Sequence, residues 1–465
     1  MGAKIELHSG TLDGILEPGS AVMWLGVGGI GMSALAEFFW LRGVECRGYD
    51  RTPSPLTRRL EALNIPMVYD FSAPIPDHVS AVVYTPAVGE NCPYLVEARR
   101  RNIPTYKRST VLGRLSNNYR SIAVAGTHGK TTTTALVAHI LRFSGCDPVA
   151  FVGGIMKNYQ TNLLAGNGDR FVVEADEYDK SFLTLTPNLA AVTSLDADHL
   201  DVYQTPENLA EHYQMFVAKT RHGGTVVLPA ELSNLPVPPS VTPLYVSLSP
   251  HPGADVLLEN YRIENGRSVF DFRYGKIHLE RLRLGLLGKY NAFNAGVAAT
   301  LSILAGVKPE IVPPALATFE GLYRRFDVVY ETESKVLIDD YAHHPTEITS
   351  FLSGVKDAYP GRKIVVVFQP HLYTRTRDFC QGFGESLSLA DSVILLPIYP
   401  AREEPLPGID SELVAKHVSV PCVVAQSFEE AAELSLNLSD KSWAICTVGA
   451  GDIDRLPDLI LRRLS

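Results

Sequence analysis

Apolar positions along this chain come mostly in short unbroken runs, each followed by a stretch in which they recur every third or fourth residue. "AVMWLGVG" at 21–28 is the first such run, and "GMSALAEFFWLRG" follows it and ends at Gly43. An unbroken run of that length predicts a buried strand, and the wider spacing predicts a helix packed on it. "VECRGYD", closing on Asp50, and "SAVVYTPAV" at 80–88 continue the alternation. Strands alternating with helices predict a parallel, Rossmann-like sheet. The polar stretch "SNNYRSI" predicts a linker, which bounds a first domain at 1–117.

A second alternation starts with a strand at 121–125, a glycine turn and a helix from about 130. "FVVEADEY" and "LAAVTSLDADHLD" read as further strands with acidic C-terminal ends, where parallel sheets gather their ligands. The proline-rich "LPVPPSVTPLYVSLSPHPGA" at 235–254 predicts a surface excursion. "SVFDFRYGKIHLERLRLGLLG" alternates with period two, as antiparallel strands do, and the helix of "GKYNAFNAGVAATLSILAG" closes a central domain at 118–320. From "FEGLYRRFDVVYE" onward the pattern restarts: "KVLIDDYAHHP", "KIVVVFQPH", "SVILLPIYP" and "WAICTVGAG" predict a third α/β sheet over 321–465. The expected fold is therefore α/β in three domains. These are a Rossmann-like N-terminal domain, a central P-loop ATPase-like domain and a Rossmann-like C-terminal domain.

Composition narrows the partners. Three domains suit 465 residues at roughly 100–200 residues each. The net charge of −9 offers no broad attraction for nucleic acid or anionic lipid, so phosphate must be held locally. No apolar run approaches the roughly 20 residues that span a bilayer, so no membrane insertion is expected. Six scattered cysteines without C-x-x-C spacing argue against a zinc site or a disulfide framework, and a cytoplasmic location is expected. Composition sets no oligomeric state.

Two glycine turns carry the candidate chemistry. Gly26-Val27-Gly28-Gly29-Ile30-Gly31 fits G-x-G-x-x-G between a strand and a helix, with Asp50 near the ribose-binding spacing. By itself this reads as a dinucleotide site, and an NAD-dependent dehydrogenase is the rival from another enzyme class. Gly126-Thr127-His128-Gly129-Lys130-Thr131 is a shortened P-loop. Its amides would ring phosphates, Lys130 would meet the β/γ-phosphates, and the Thr131 hydroxyl would reach a magnesium ion. An NAD and ATP pairing is odd, which points the first loop to a different diphosphate. His128 would either touch substrate or cap the helix. Asn291 and Asn294, three apart, would share a helix face, with helix capping the expected role for Asn291. Asp176, Glu177, Asp196, Asp198 and Asp201 read as a solvated acidic rim. Removing Lys130 is expected to leave folding intact. A nucleotide-gated binding module without catalysis is the non-enzymatic alternative.

"GTHGKTTTT", "EADEYD", "DADHLD", "GKYNAFNA", "DDYAHHPTE" and "FQPHLYTRTRD", in that order, resemble the Mur ligase family over essentially the whole chain. The resemblance implies ATP-dependent amide ligation in peptidoglycan precursor synthesis. UDP-N-acetylmuramate would bind the first domain, ATP the second and L-alanine the third. It implies catalytic roles for Lys130, Glu174, His199 and Arg325. For ATP it implies Gly126, Thr127, His128, Gly129, Lys130, Thr131, Thr132, Asn291, Asn294, Arg325 and Asp340. For the UDP-sugar it implies Gly28, Gly29, Ile30, Gly31, Asp50, Thr85 and Arg108. Two Mg²⁺ ions, with Mn²⁺ as a substitute, would use Thr131, Glu174 and His199. Tyr341, His343, His371 and Arg375 would hold the amino acid, Arg offering the bidentate geometry a carboxylate needs. Leu372 stands where alanine-adding relatives often carry Arg, and Tyr178 and Ala342 where many carry Ser and Gly. Similar choices occur in the related ligase that attaches the L-Ala-γ-D-Glu-meso-diaminopimelate tripeptide, which is the alternative within the family.

Overall fold

The computed structural model describes residues 16–196, 203–401, 403–438 and 442–464. Within them lie three sheets. The first has the order β3-β2-β1-β4-β5, built from β1 (Ala21–Leu25), β2 (Glu45–Tyr49), β3 (Met67–Val68), β4 (Ala81–Tyr84) and β5 (Thr105–Lys107). All its pairings are parallel. β1 is central and wholly buried, as its unbroken apolar run predicts. The helix α1 (Ile30–Leu41) starts directly after the glycine turn, and its Phe39 stacks on Trp24 of β1 at 5.7 Å. Burying such a ring contributes about 1.5–3 kcal/mol.

The second sheet has ten strands, ordered β15-β14-β13-β12-β11-β10-β6-β9-β7-β8. Near its middle runs β6 (Arg120–Ala125), flanked in parallel by β9 (Arg170–Glu174) and β10 (Leu189–Val192). The helix α2 (Lys130–Phe143) leaves the end of β6. β7 (Val149–Met156) and β8 (Thr161–Ala165) form one edge; β11 (Thr225–Pro229), β12 (Thr242–Ser247), β13 (Val256–Glu264), β14 (Arg267–Tyr274) and β15 (Ile277–Leu284) extend the other. The expected surface excursion at 235–254 is corrected here. Residues 242–246 pair in parallel with β11, and Val246 is fully buried. The β-branched and aromatic residues of "TPLYVS" outweigh the prolines around them, and Pro243 falls at the second residue of the strand, where pairing is just beginning.

The third sheet is ordered β16-β17-β21-β18-β19-β20, from β16 (Asp327–Glu331), β17 (Lys335–Asp340), β18 (Lys363–Phe368), β19 (Ser392–Leu395), β20 (Cys422–Val424) and β21 (Trp443–Val448). Only the edge strand β16 runs antiparallel. The chain falls into two compact units: 1–259 with 272–280 and 294–316, and 260–271 with 281–293 and 317–465. The first sheet and the phosphate-loop part of the second share the first unit. Among the described residues, no helix is long and apolar enough to cross a membrane.

Candidate functional site

The first unit carries both glycine turns. In the earlier one, Gly26 N and Val27 N donate to Tyr49 O at 2.8 and 3.1 Å, and Gly28 N donates to Asp50 Oδ2 at 2.7 Å. Asp50 Oδ1 accepts from Thr52 N at 3.3 Å. The carboxylate expected to reach a ribose is thus engaged in shaping the turn itself. Thr85 packs on Gly26, and the Arg108 guanidinium lies beside Gly31. Gly29, Ile30, Gly31, Thr85, Arg108, Glu174 and Asp176 line one cleft of about 180 Å³. Asn162 lines it too, donating to Ile30 O at 2.9 Å and to Val152 O at 3.3 Å. The cleft therefore runs from the first glycine turn to the acidic end of β9.

The second turn requires glycine twice. Gly126 has φ +135° and Gly129 φ +80°. A Cβ at Gly126 would come within 2.1 Å of Thr193 Oγ1 and 2.7 Å of Thr193 N; one at Gly129 would come within 2.5 Å of Asn294 Oδ1. The turn is fastened to the end of β10. Thr127 N donates to Ser194 O at 3.1 Å, His128 N donates to Ser194 Oγ at 2.7 Å, and Thr193 Oγ1 donates to His128 O. The His128 ring faces Asp196, with Nε2 3.2 Å from Oδ2. Thr132 is buried in the first turn of α2.

Lys130 Nζ donates to Gly126 O at 2.6 Å, to Thr127 O at 3.3 Å and to Glu177 Oε1 at 2.8 Å. Glu177 is 0% exposed, so it is no part of a solvated rim. Its side chain turns inward because a cation is there to meet it; Asp176 and Asp196 are half-buried. Asp198 and Asp201 lie outside the described residues. Burial alone would lower the lysine's pKa, but the Glu177, Asp176 and Glu174 charges outweigh it and hold the ammonium above its ordinary value. The same pair bears on the expectation that Lys130 is dispensable for folding, since its loss would strand a buried carboxylate. Glu174 accepts from Thr131 Oγ1 at 2.9 Å and from Gly153 N at 2.8 Å. Burial raises its pKa, against the pull of Lys130 and Thr131. Hydroxyl and carboxylate oxygens side by side are the donors magnesium prefers. The third expected ligand, His199, lies outside the described residues. Among the described residues, no three His, Cys, Asp or Glu cluster as a metal site.

The second unit holds the other candidates. The Arg324 guanidinium donates to Gly449 O at 2.6 Å and Gly451 O at 3.3 Å and pairs with Asp339 at 3.4 Å and Asp454 at 3.6 Å. Arg325 lies over the Tyr341 ring, 5.0 Å from its centroid. Asp340 ends β17 and accepts from Phe326 N at 2.6 Å and Ala342 N at 2.8 Å. Burial pushes its pKa up to about 7, although Arg325 and the two amides oppose the rise. Tyr341, His343, His371 and Tyr399 form a chain of ring contacts at 5.4, 6.2 and 5.8 Å. His343 N donates to Glu347 Oε2 at 3.0 Å. Leu372, at φ +69°, turns the chain from β18 into the helix Tyr373–Leu387, whose first turn carries the buried Arg375. Asn291, buried in the helix Lys289–Leu304, donates to Leu287 O at 2.7 Å. The capping expected of it is thus corrected: its amide satisfies a carbonyl rather than the orphan N–H groups of a helix start.

Thr193, Ser194, Glu177, Asn162 and Tyr399 are site residues that sequence pattern alone misses or misplaces. None carries a local signal, except that Thr193 and Ser194 end a strand the apolar run marks, next to which a phosphate loop must pack.

Three family models match in register with the sheets: "Mur ligase family, catalytic domain" at residues 22–120, "Mur ligase middle domain" at 124–302, and "Mur ligase, glutamate ligase domain" at 324–451. The UDP-N-acetylmuramate–L-alanine ligase of Parabacteroides distasonis is 43% identical over 445 residues, covering 94% of this chain and 96% of that protein. The crystal structure of UDP-N-acetylmuramate–alanine ligase from Thermotoga maritima superposes with a TM-score of 0.80 at 28% identity, covering 96% of this chain and 99% of that one. A murein peptide ligase from Psychrobacter arcticus shares the fold at 21% identity and a TM-score of 0.69. With family models matched across most of its length and relatives about 40% identical over nearly the whole chain, the chain belongs to the Mur ligase family.

Proposed function

We propose that this protein is an ATP-dependent amide ligase that joins L-alanine to the lactyl carboxylate of UDP-N-acetylmuramate, releasing ADP and phosphate in the bacterial cytoplasm. The uridine nucleotide sits on the turn at Gly28, Gly29, Ile30 and Gly31, with Thr85 and Arg108 alongside. ATP sits on Gly126–Thr132 with Asn294 against the turn. Tyr341, His343, His371 and Arg375 receive the amino acid, and Arg325, Asp340 and Asn291 keep the nucleotide roles the family likeness implies. The domain limits 1–117, 118–320 and 321–465 follow this division. The observation that carries the reading is the cleft in which Gly29–Gly31 and Arg108 share walls with Glu174, itself bonded to Thr131 of the phosphate loop. A sugar acid anchored by its diphosphate at the first turn would present its carboxylate toward the second.

A carboxylate is a poor electrophile. Its oxygen attacks the γ-phosphorus of ATP, the β–γ bond breaks, and ADP leaves. The resulting acyl phosphate offers a good leaving group, and the neutral amine of alanine displaces phosphate from the carbonyl carbon. The protein's share is alignment and charge neutralisation. Lys130 stabilises charge gathering on the β–γ bridging oxygen. Thr131 and Glu174, with His199, would hold Mg²⁺, which when bound neutralises phosphate oxygens; Mn²⁺ would serve in its place.

Phosphate release from ATP tests the reading. Release is expected only when UDP-N-acetylmuramate and an amino acceptor are both present, fastest with L-alanine and slower with glycine, L-serine or the tripeptide. Release that ignores the sugar nucleotide, or that is faster with the tripeptide, would overturn it.

A further inference from the structure

We propose that Glu177 is the positioning residue of the phosphate loop, a buried pivot that keeps hold of the Lys130 ammonium while it turns from its own loop to the nucleotide. This rests on the reading of Gly126–Thr132 as the ATP cradle. An ammonium has three donors. All three are taken here, by Gly126 O, Thr127 O and Glu177 Oε1. A phosphate oxygen can be reached only if one of them is released.

The three acceptors are not equivalent. The two carbonyls are neutral. Glu177 is anionic and 0% exposed. Taking the ammonium from it strands a carboxylate in the protein interior, the costliest of the three exchanges. The carbonyls therefore yield, and Lys130 swings about Glu177 Oε1. The seat of the pivot is stiff. Glu177 O accepts from Tyr203 Oη at 2.5 Å and from Lys180 N at 2.9 Å, and Tyr203 is fully buried. The next turn is set by Asp179 and Lys180, both left-handed at φ +54° and +56°. Phe182 N and Tyr178 N both bond back to Asp176, at 3.0 Å each. A lysine held on such a seat has its direction defined before ATP arrives.

The arrangement predicts a split between binding and turnover. Glu177 cancels most of the lysine's charge, which weakens ground-state attraction for a polyanion. It also aims the ammonium, which matters most as charge develops in the transition state. In Glu177→Gln the cancellation is lost and the aim is loosened. Calorimetric titration of the full-length protein with a non-hydrolysable ATP analogue and magnesium is the first readout, and steady-state phosphate release is the second. Expected are a dissociation constant that is unchanged or several-fold tighter and a kcat lower by roughly ten- to hundredfold. Glu177→Asp keeps the charge but withdraws it by one methylene, and it covers the case in which the Gln variant does not fold; its kcat is expected to fall at constant affinity. Unchanged kcat in the folded variants, or affinity that weakens in step with kcat, would overturn the proposal. If the wild-type protein binds no ATP analogue, the failure belongs to the proposed function instead.

Discussion

Asp340→Asn is the perturbation whose size follows most directly from the structure. The Asp340 carboxyl is buried at the end of β17, and its pKa rises from 3.8 to about 7. The folded state thus keeps a proton that the unfolded chain releases above pH 3.8. With more protons bound when folded, stability falls as pH rises, by about 1.4 kcal/mol per pH unit. The contribution is whole below pH 3.8, drains away between 3.8 and about 7, and is flat above. Taken across that whole interval, the slope amounts to about 4 kcal/mol. Asparagine is neutral throughout and close in shape to the protonated acid. Its oxygen can accept from Phe326 N or Ala342 N, and its NH₂ must face the other. The variant is therefore expected to be no more stable than wild type near pH 4.5, to gain on it steadily up to about pH 7, and to hold that gain at about pH 7.5. Urea unfolding midpoints, measured for both proteins across that range, report the difference; groups common to both, including Asp339, whose pKa burial raises to about 6, cancel. A stability difference that does not change with pH would refute the reasoning, because it would mean that Asp340 ionises in the folded protein as easily as in water.

Lys130→Ala removes the partner of a fully buried carboxylate, so unfolding free energy should drop by about 3–5 kcal/mol, besides the loss of turnover. Adding Glu177→Gln should restore most of the stability and none of the turnover, and simple additivity in denaturant titrations would contradict the pairing. Gly126→Ala places a Cβ 2.7 Å from Thr193 N, main chain that cannot step aside, and imposes φ +135° on an L-residue. Calorimetry should find nucleotide binding lost, and a normal dissociation constant would show that the turn is looser than described. Arg59 grips the buried Glu37 through two bonds, at 3.0 and 2.8 Å, so Arg59→Ala should cost about 1–3 kcal/mol in thermal unfolding. Salt should leave that cost largely unchanged, since Glu37 is shielded from solvent.

Period and turn chemistry are local properties, and what depended on them was legible. The unbroken runs marked β1, β6, β9, β10, β17, β18, β19 and β21. Gly126 and Gly129 marked a turn that only glycine can make, and Lys130 and Thr131 open the helix right after it, as the pattern predicts. The same local logic failed at 235–254, where proline frequency suggests a loop while the strand-forming residues between the prolines join the sheet.

What tertiary structure alone decided is which groups face one another. Glu177 looks like any acid in "EADEYD"; the order β9-β6-β10 brings it against Lys130 and changes it from a solvated charge to a buried partner. Arg324 and Arg325 are indistinguishable as neighbours in "YRRFD", and both guanidinium groups lie over the Tyr341 ring, yet the backbone turn there ties only the first to Gly449 and Asp339. Asn162 and Tyr399 carry no pattern at all. A sequence specifies backbone states residue by residue. Partnership depends on distances set by strand order and register, and burial then turns those distances into large energies, because a charge or a hydrogen-bonding group removed from water must find its match in the fold.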